Sequence, residues 1–156
     1  MKRHQSFVPL SREHHDGLLL ATRLQQGRKA LLRLWSHDLQ WQAEYVVKFF
    51  DDNLATHFRT EEESIFPLAQ TEIPGTGQVI KELLDEHAEM RSIVESLRNP
   101  DLKKLECSLT TFGQILEHHI RTEERIFFPM CEESLSEKSL ENMGQLIRDH
   151  HLGMAQ

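Results

Sequence analysis

Two eleven-residue phrases in the chain, HFRTEEESIFP from His57 and HIRTEERIFFP from His119, agree at seven positions, among them the histidine, the glutamate four residues later and the closing Phe-Pro. Residues four apart share one face of an α-helix, so His57 with Glu61, and His119 with Glu123, each aim an imidazole and a carboxylate at a common centre. Burying either group without a partner is costly, and a metal ion is the partner that accepts both. Ten histidines in 156 residues exceed what a surface needs, and their scatter excludes a purification tag. Their position on the helical period is therefore the informative quantity.

The elements that must carry these residues are helices. Long stretches are rich in Leu, Glu, Lys, Arg and Gln, while β-branched clusters and Asn-Gly or Asp-Gly hairpin signals are nearly absent. The sequence predicts a helix from about Ser11, as cap, to Gly27, as stop. A second runs over 36–70, a third over 78–98 and a fourth over 101–134, with a shorter fifth over 136–149. The connectors are IPGTG at 73–77 and NPD at 99–101, where Pro100 turns Asn99 away from helix. The expected fold is all-α: an antiparallel up-down-up-down four-helix bundle with a short additional C-terminal helix.

On the fourth helix the apolar stripe Leu105, Leu109, Phe112, Leu116 leads into His119 and Glu123, then Ile126 and Phe127, in the three-and-four steps of a core seam. On the second, Ala43, Val47, Phe50 and Leu54 lead into His57 and Glu61, then Ile65 and Leu68. The third carries Ile80, Leu83, His87, Met90, Val94 and Leu97. On the first helix both His14 and His15 are candidates. The stripe through His14 holds Leu10, Gly17, Leu18, Ala21 and Leu24, whereas that through His15 passes Leu18, Thr22, Gln25 and Gln26. The apolar stripe favours His14. His118 falls on a polar stripe with Lys104, Ser108, Thr111 and Arg125, and reads as exposed. Glu62 and Glu124 read as the solvated members of their EE doublets. Asp149, His150 and His151 read as an exposed helix end, with an auxiliary site as the lesser alternative. His4 and His37 offer no usable spacing. The two Phe-Pro pairs read as structural, a helix kink with a ring filling the bundle end.

Four histidines and two glutamates at matched levels of four helices give four nitrogens and four carboxylate oxygens. If both glutamates bridge, each of two metals receives two imidazoles and two oxygens. A bridging oxo or hydroxo group then leaves one octahedral position per metal for an outside ligand. That mixed donor set with open positions favours iron over calcium or structural zinc, with manganese or zinc as remaining options.

The ordered set His14, His57 with Glu61, His87, His119 with Glu123 resembles the hemerythrin-like proteins of the HHE cation-binding type, whose pattern is His, His-x-x-x-Glu, His, His-x-x-x-Glu on four successive helices. The resemblance covers roughly residues 10–130. It implies a non-haem di-iron centre that takes oxygen, nitric oxide or related small ligands, with the four histidines as terminal ligands and Glu61 and Glu123 as bridges. Oxygen-carrying hemerythrins add a fifth histidine and an aspartate. Here Arg91 stands one turn after His87, which implies the broader branch associated with sensing, nitrosative stress and iron handling. Ferritin-like di-iron proteins, built on Glu-x-x-His, match less well.

The remaining features set the frame. The length suits a single domain, 1–156. A net charge of -7, from 25 acidic and 18 basic residues without a dense basic run, argues against a nucleic-acid or anionic-membrane partner. No apolar run spans a bilayer and the basic start MKRH has no signal-peptide core, so the expectation is a cytoplasmic protein. Two cysteines, Cys107 and Cys131, read as free buried thiols. The expected partners are a small ligand such as O2 or NO and a separate protein for redox or signalling. The second reading is an interaction protein in which a metal or buried polar network mainly stabilises the helices. A hydrolase is disfavoured, because no nucleophile elbow, phosphate loop or HExxH is present.

Overall fold

The computed structural model describes residues 2–27 and 35–154, the last three by backbone alone; the ends of the expected 1–156 domain lie outside the described residues. Every regular element among the described residues is helical. A 3-10 turn, Gln5–Phe7, leads into α1, Val8–Gln26, which starts earlier than Ser11 because Pro9 suits a first helical turn. Ser11 does not cap it; its hydroxyl donates to Glu124 instead. Gly27 ends α1 at φ 57°, a conformation that favours glycine.

The second helix, α2, covers 39–72, capped by the Asp38 carboxylate, which accepts from the amides of Gln40 and Trp41. Gly75, at φ 87°, turns the chain into α3, Gly77–Leu97. The fourth helix, α4, covers 105–134, later than expected because 101–104 form a turn closed by the Asp101 carboxylate on the Lys103 amide. The fifth, α5, is Glu137–Met154. It runs past the expected end at 149 but, at 18 residues, is still the shortest of the five helices among the described residues.

Neither Phe-Pro pair produces a bare kink. Each follows a wider π-turn, Glu61–Ile65 in α2 and Glu123–Phe127 in α4, closed by an amide reaching five residues back: Phe66 to the Glu61 carbonyl, Phe128 to that of Glu123. Proline lacks an N–H and its ring collides with the carbonyl four residues earlier, so a locally wider turn relieves Pro67 and Pro129. The inserted residue shifts the helix phase. Ile126, expected on the buried stripe, is 51% exposed, and Phe127 is fully buried in its place.

Two apolar clusters form. One joins Leu20, Ala21 and Leu24 to Leu54, Phe58, Met90, Val94, Leu116 and Ile120; the other joins Phe7 and Leu10 to Ile65, Phe66, Leu83, Phe127, Phe128 and, from α5, Leu140, Met143 and Ile147. His14, His57, Glu61, His87, His119 and Glu123 lie between these clusters in the order of the chain on each helix, and all are buried. The aromatic end of the first cluster is Trp35 against Trp41 and Tyr45, ring centroids 5.3 Å apart. Cys131 sits in the second cluster, where burial pushes its thiol up to about 12; Cys107 is exposed, contrary to the expectation of two buried thiols. No helix among the described residues is long and apolar enough to cross a membrane.

The most extensive helix pairing is α1 on α4. Gly113 permits it: a Cβ there would meet the Ala21 carbonyl and Leu24 Cβ, each at 3.0 Å. Gly113→Val adds branched bulk against that backbone. The expected outcome is a loss of about 1–3 kcal/mol in urea unfolding of the metal-free protein, the usual cost of overpacking.

Candidate metal centre

The phase of each helix brings six side chains to one level. His14 of α1 is 4% exposed whereas His15 is on the surface, so the geometry selects His14 from the two candidates. The Nε2 atoms of His14 and His57 face each other at 3.0 Å, and those of His87 and His119 at 3.1 Å. Glu61 and Glu123, both 0% exposed, lie among the two pairs. Each carboxylate divides its oxygens. Glu61 turns Oε1 to His57 (2.8 Å) and Oε2 to His87 (3.1 Å), while Glu123 turns Oε2 to His14 (3.0 Å) and Oε1 to His119 (3.5 Å). Two four-residue groups result, His14, His57, Glu61, Glu123 and Glu61, His87, His119, Glu123, with the donor atoms of each within 4.8 Å of one another.

Proton positions decide what this arrangement can hold. Every inward-facing histidine has its other nitrogen, Nδ1, against a second carboxylate. His14 meets Glu124 at 2.7 Å, His57 meets Glu13 at 2.5 Å, His87 meets Glu62 at 2.8 Å, and His119 meets Glu86 at 3.4 Å. A carboxylate only accepts, so Nδ1 carries the proton and a neutral ring presents a bare Nε2 lone pair to the centre. All four oxygens of Glu61 and Glu123 are buried without a properly aimed hydrogen bond. Eight acceptors thus converge in a buried layer. Acceptors repel, and burying ionised carboxylates costs several kcal/mol each, so the donor set fits a cation.

Lacking a cation, the layer attracts protons. Burial alone would lower the imidazoles, yet Glu123 and Glu124 raise His14, Glu61 with Glu13 raises His57 well above its ordinary value, and Glu61 with Glu62 raises His87. Against its own burial, His57 holds Glu61 well below the usual carboxylate range. Outside the layer, burial opposes ionisation of Glu62 and Glu124, but His87 with Arg91, and His14 with Ser11, bring both down to about 2.

A model of the hemerythrin HHE cation-binding domain matches residues 10–131. The chain belongs to the hemerythrin HHE cation-binding family. Searches of curated proteins and of solved structures returned no match. For an HHE domain, buried histidines and glutamates converging in two overlapping groups are a cation-binding arrangement.

The outer carboxylates are the part of this HHE site that the sequence reading missed. They form a closed circuit in chain order. Glu13 of α1 holds His57 of α2, Glu62 of α2 holds His87 of α3, Glu86 of α3 holds His119 of α4, and Glu124 of α4 holds His14 of α1. Glu62 and Glu124 are therefore not the solvated halves of their doublets. The signal was adjacency: Glu-His at 13–14 and 86–87, Glu-Glu at 61–62 and 123–124. His118 is exposed as expected but donates to Glu86 at 2.7 Å. The terminal histidines are half-buried rather than a free helix end: His151 meets Glu13 at 2.8 Å, and His150 lies 3.6 Å from Glu63. His4 contacts Glu137 at 3.0 Å. Phe128 stacks on His14 and Phe58 on His87, so these rings brace the imidazoles.

A cavity of about 30 Å³, walled by Leu54, Phe58, Leu116 and Ile120, reaches His14, His57 and His119. It has room for a water or a diatomic molecule.

Two outcomes are expected. Glu62→Ala removes the acceptor from His87 and should weaken metal binding about 10- to 100-fold, measured by chelator competition, with circular dichroism unchanged. The metal-free protein should be most stable between about pH 4.5 and 6.5. Glu62 and Glu124 stabilise it above their unfolded value of 4.5 and lose that contribution as pH falls toward 2; the raised histidines stabilise it below 6.5 and lose theirs as pH climbs through their folded values. Thermal melts across pH with a chelator present measure this profile. Added divalent metal should abolish the alkaline loss by replacing the protons.

Proposed function

We propose that the chain is one hemerythrin-like domain, residues 1–156, that holds two iron ions between Glu61 and Glu123 and binds a small ligand such as O2 or NO. His14 and His57 serve one position, His87 and His119 the other, and each glutamate gives one oxygen to each. The observation that carries this reading is the set of four buried carboxylate oxygens without hydrogen bonds, divided two and two between the histidine pairs. Two nitrogens and two oxygens per position leave further positions open, which suits iron, with manganese and zinc as the other metals this donor set accepts.

The topology that goes with this reading is an antiparallel up-down-up-down bundle of α1–α4 with α5 added. Its support is the order in which each helix visits the two apolar clusters. α1 runs from Leu10 past His14 to Leu24 and α2 from Leu54 past His57 to Ile65; α3 runs from Leu83 past His87 to Met90 and α4 from Leu116 past Glu123 to Phe127. Successive helices cross the layer in opposite senses.

Iron bound there supplies reversible coordination and one-electron chemistry toward a diatomic ligand. The chain's residues supply the surroundings. Leu54, Phe58, Leu116 and Ile120 give the ligand cavity an apolar wall beside a polar rim of Glu13, Asp16 and Asn53, and Glu13, Glu62, Glu86 and Glu124 fix the tautomer of each imidazole. Arg91, where a fifth histidine stands in the oxygen carriers, is committed to Glu62. That favours sensing, iron handling or a response to oxidative and nitrosative stress over oxygen storage. Free Cys107 and Cys131 suit the reducing cytoplasm.

The test is the absorption spectrum of anaerobically iron-loaded protein, with bound iron counted, before and after exposure to air. Two irons per chain and new near-ultraviolet charge-transfer absorption are expected, with Glu61→Ala/Glu123→Ala losing the second metal while retaining its helix content. Bound iron indifferent to air and to NO would return the protein to the other reading, a metal-stabilised helical interaction protein.

A further inference from the structure

Two arginines far apart in the chain make the same pair of contacts in opposite halves of the site. Arg91 of α3 forks onto Glu62, Nη1 to Oε1 at 2.7 Å and Nη2 to Oε2 at 3.2 Å, and its guanidinium carbon lies 5.7 Å from the centre of the Phe58 ring. Glu62 holds His87 by Nδ1, and Phe58 stacks on the same imidazole with centroids 3.9 Å apart and planes inclined by 16°. Arg3 donates to the Glu124 carboxylate at 2.8 Å and to the Glu124 carbonyl, and its guanidinium carbon lies 5.2 Å from the centre of Phe128. Glu124 holds His14 by Nδ1, and Phe128 stacks on His14 at 5.7 Å and 11°. Each arginine thus reaches one histidine twice, through the carboxylate on its outer nitrogen and through the aromatic ring on its face.

We propose that Arg3 and Arg91 are positioning residues, one for each metal position, Arg3 setting His14 and Arg91 setting His87. The assignment rests on the two-metal reading given above. A carboxylate held by a guanidinium cannot swing about its side-chain torsions, so the imidazole it accepts from keeps its aim, and ligand aim governs affinity. Lysine lacks the planar fork and is no equivalent.

The two positions differ in what carries the arginine. Arg91 stands on α3 itself. Arg3 belongs to the segment before α1, and that segment rests on α4 and α5: Arg3 pairs with Glu132, the Ser6 hydroxyl donates to the Leu140 carbonyl at 2.7 Å, and His4 meets Glu137. His151 of α5 also meets Glu13, the carboxylate that holds His57. The outer partners of His14 and His57 are therefore tied to the terminal segments, whereas Arg91 and Glu86, which serve His87 and His119, both stand on α3.

The experiment is stepwise cobalt(II) binding to the full chain by chelator competition, comparing wild type, Arg3→Gln, Arg91→Gln and the double variant. Each single variant should weaken one of the two binding steps about tenfold, the low end for a lost outer partner, and the double variant should weaken both. Arg3→Lys and Arg91→Lys should fall between wild type and the Gln variants, and they carry the test if a Gln variant fails to fold. The assignment is overturned if the double variant keeps one step at wild-type affinity, if each single variant weakens both steps equally, or if none changes either. Wild-type protein that binds fewer than two cobalt ions would instead sink the two-metal reading itself.

Discussion

Eight acceptor atoms facing one another in a buried layer are the constraint to which the rest of the molecule answers. Four imidazole lone pairs and four carboxylate oxygens repel, and no reorientation removes the repulsion, because each ring is pinned from outside by a further carboxylate. Only positive charge resolves it, as protons or as metal. The raised histidines and the lowered Glu61 are the protonic solution, and the family's cation-binding character is the metallic one. Competition between the two solutions makes the occupancy of the layer a function of pH.

Such a layer survives only if it is held between surfaces that do not yield. The two apolar clusters supply them, one on each side, and α5 completes the second with Leu140, Met143 and Ile147. The glycine at 113 lets α1 approach α4 closely enough for Glu124 to reach His14. The π-turns serve the same end from within the helices. Those at Glu61–Ile65 and Glu123–Phe127 each start at an inner glutamate and accommodate the proline that follows, so the residue just beyond, Phe66 or Phe128, faces the core.

Much of this could be read in the sequence because the helical period is a strong signal. Apolar residues at steps of three and four located His57, Glu61, His87, His119 and Glu123 within the core seam, and the same test separated His14 from His15. What escaped were features that period cannot encode. A π-turn breaks the phase on which the stripe argument depends, so Ile126 was placed inside and lies outside. The outer carboxylates reach across to neighbouring helices, and a single-helix wheel contains no neighbour. Glu62 and Glu124 therefore looked solvated. The terminal histidines escaped for the same reason: what they meet, Glu63 and Glu13, lies on other helices.

The circuit of outer carboxylates has a symmetry with a historical meaning. α1 contributes Glu-His and α2 contributes His-x-x-x-Glu-Glu; α3 and α4 repeat that pair in the same order. Every link runs from one helix to the next, and the last returns to the first, so neither hairpin satisfies both of its own histidines. Each supplies one link internally and borrows the other. A two-helix unit bearing those five residues is therefore incomplete alone and complete when paired with its own copy, which makes duplication and fusion of a self-associating hairpin a sufficient origin for the whole centre. Arg91 within the second hairpin and Arg3 outside the first are where the two halves are not equivalent.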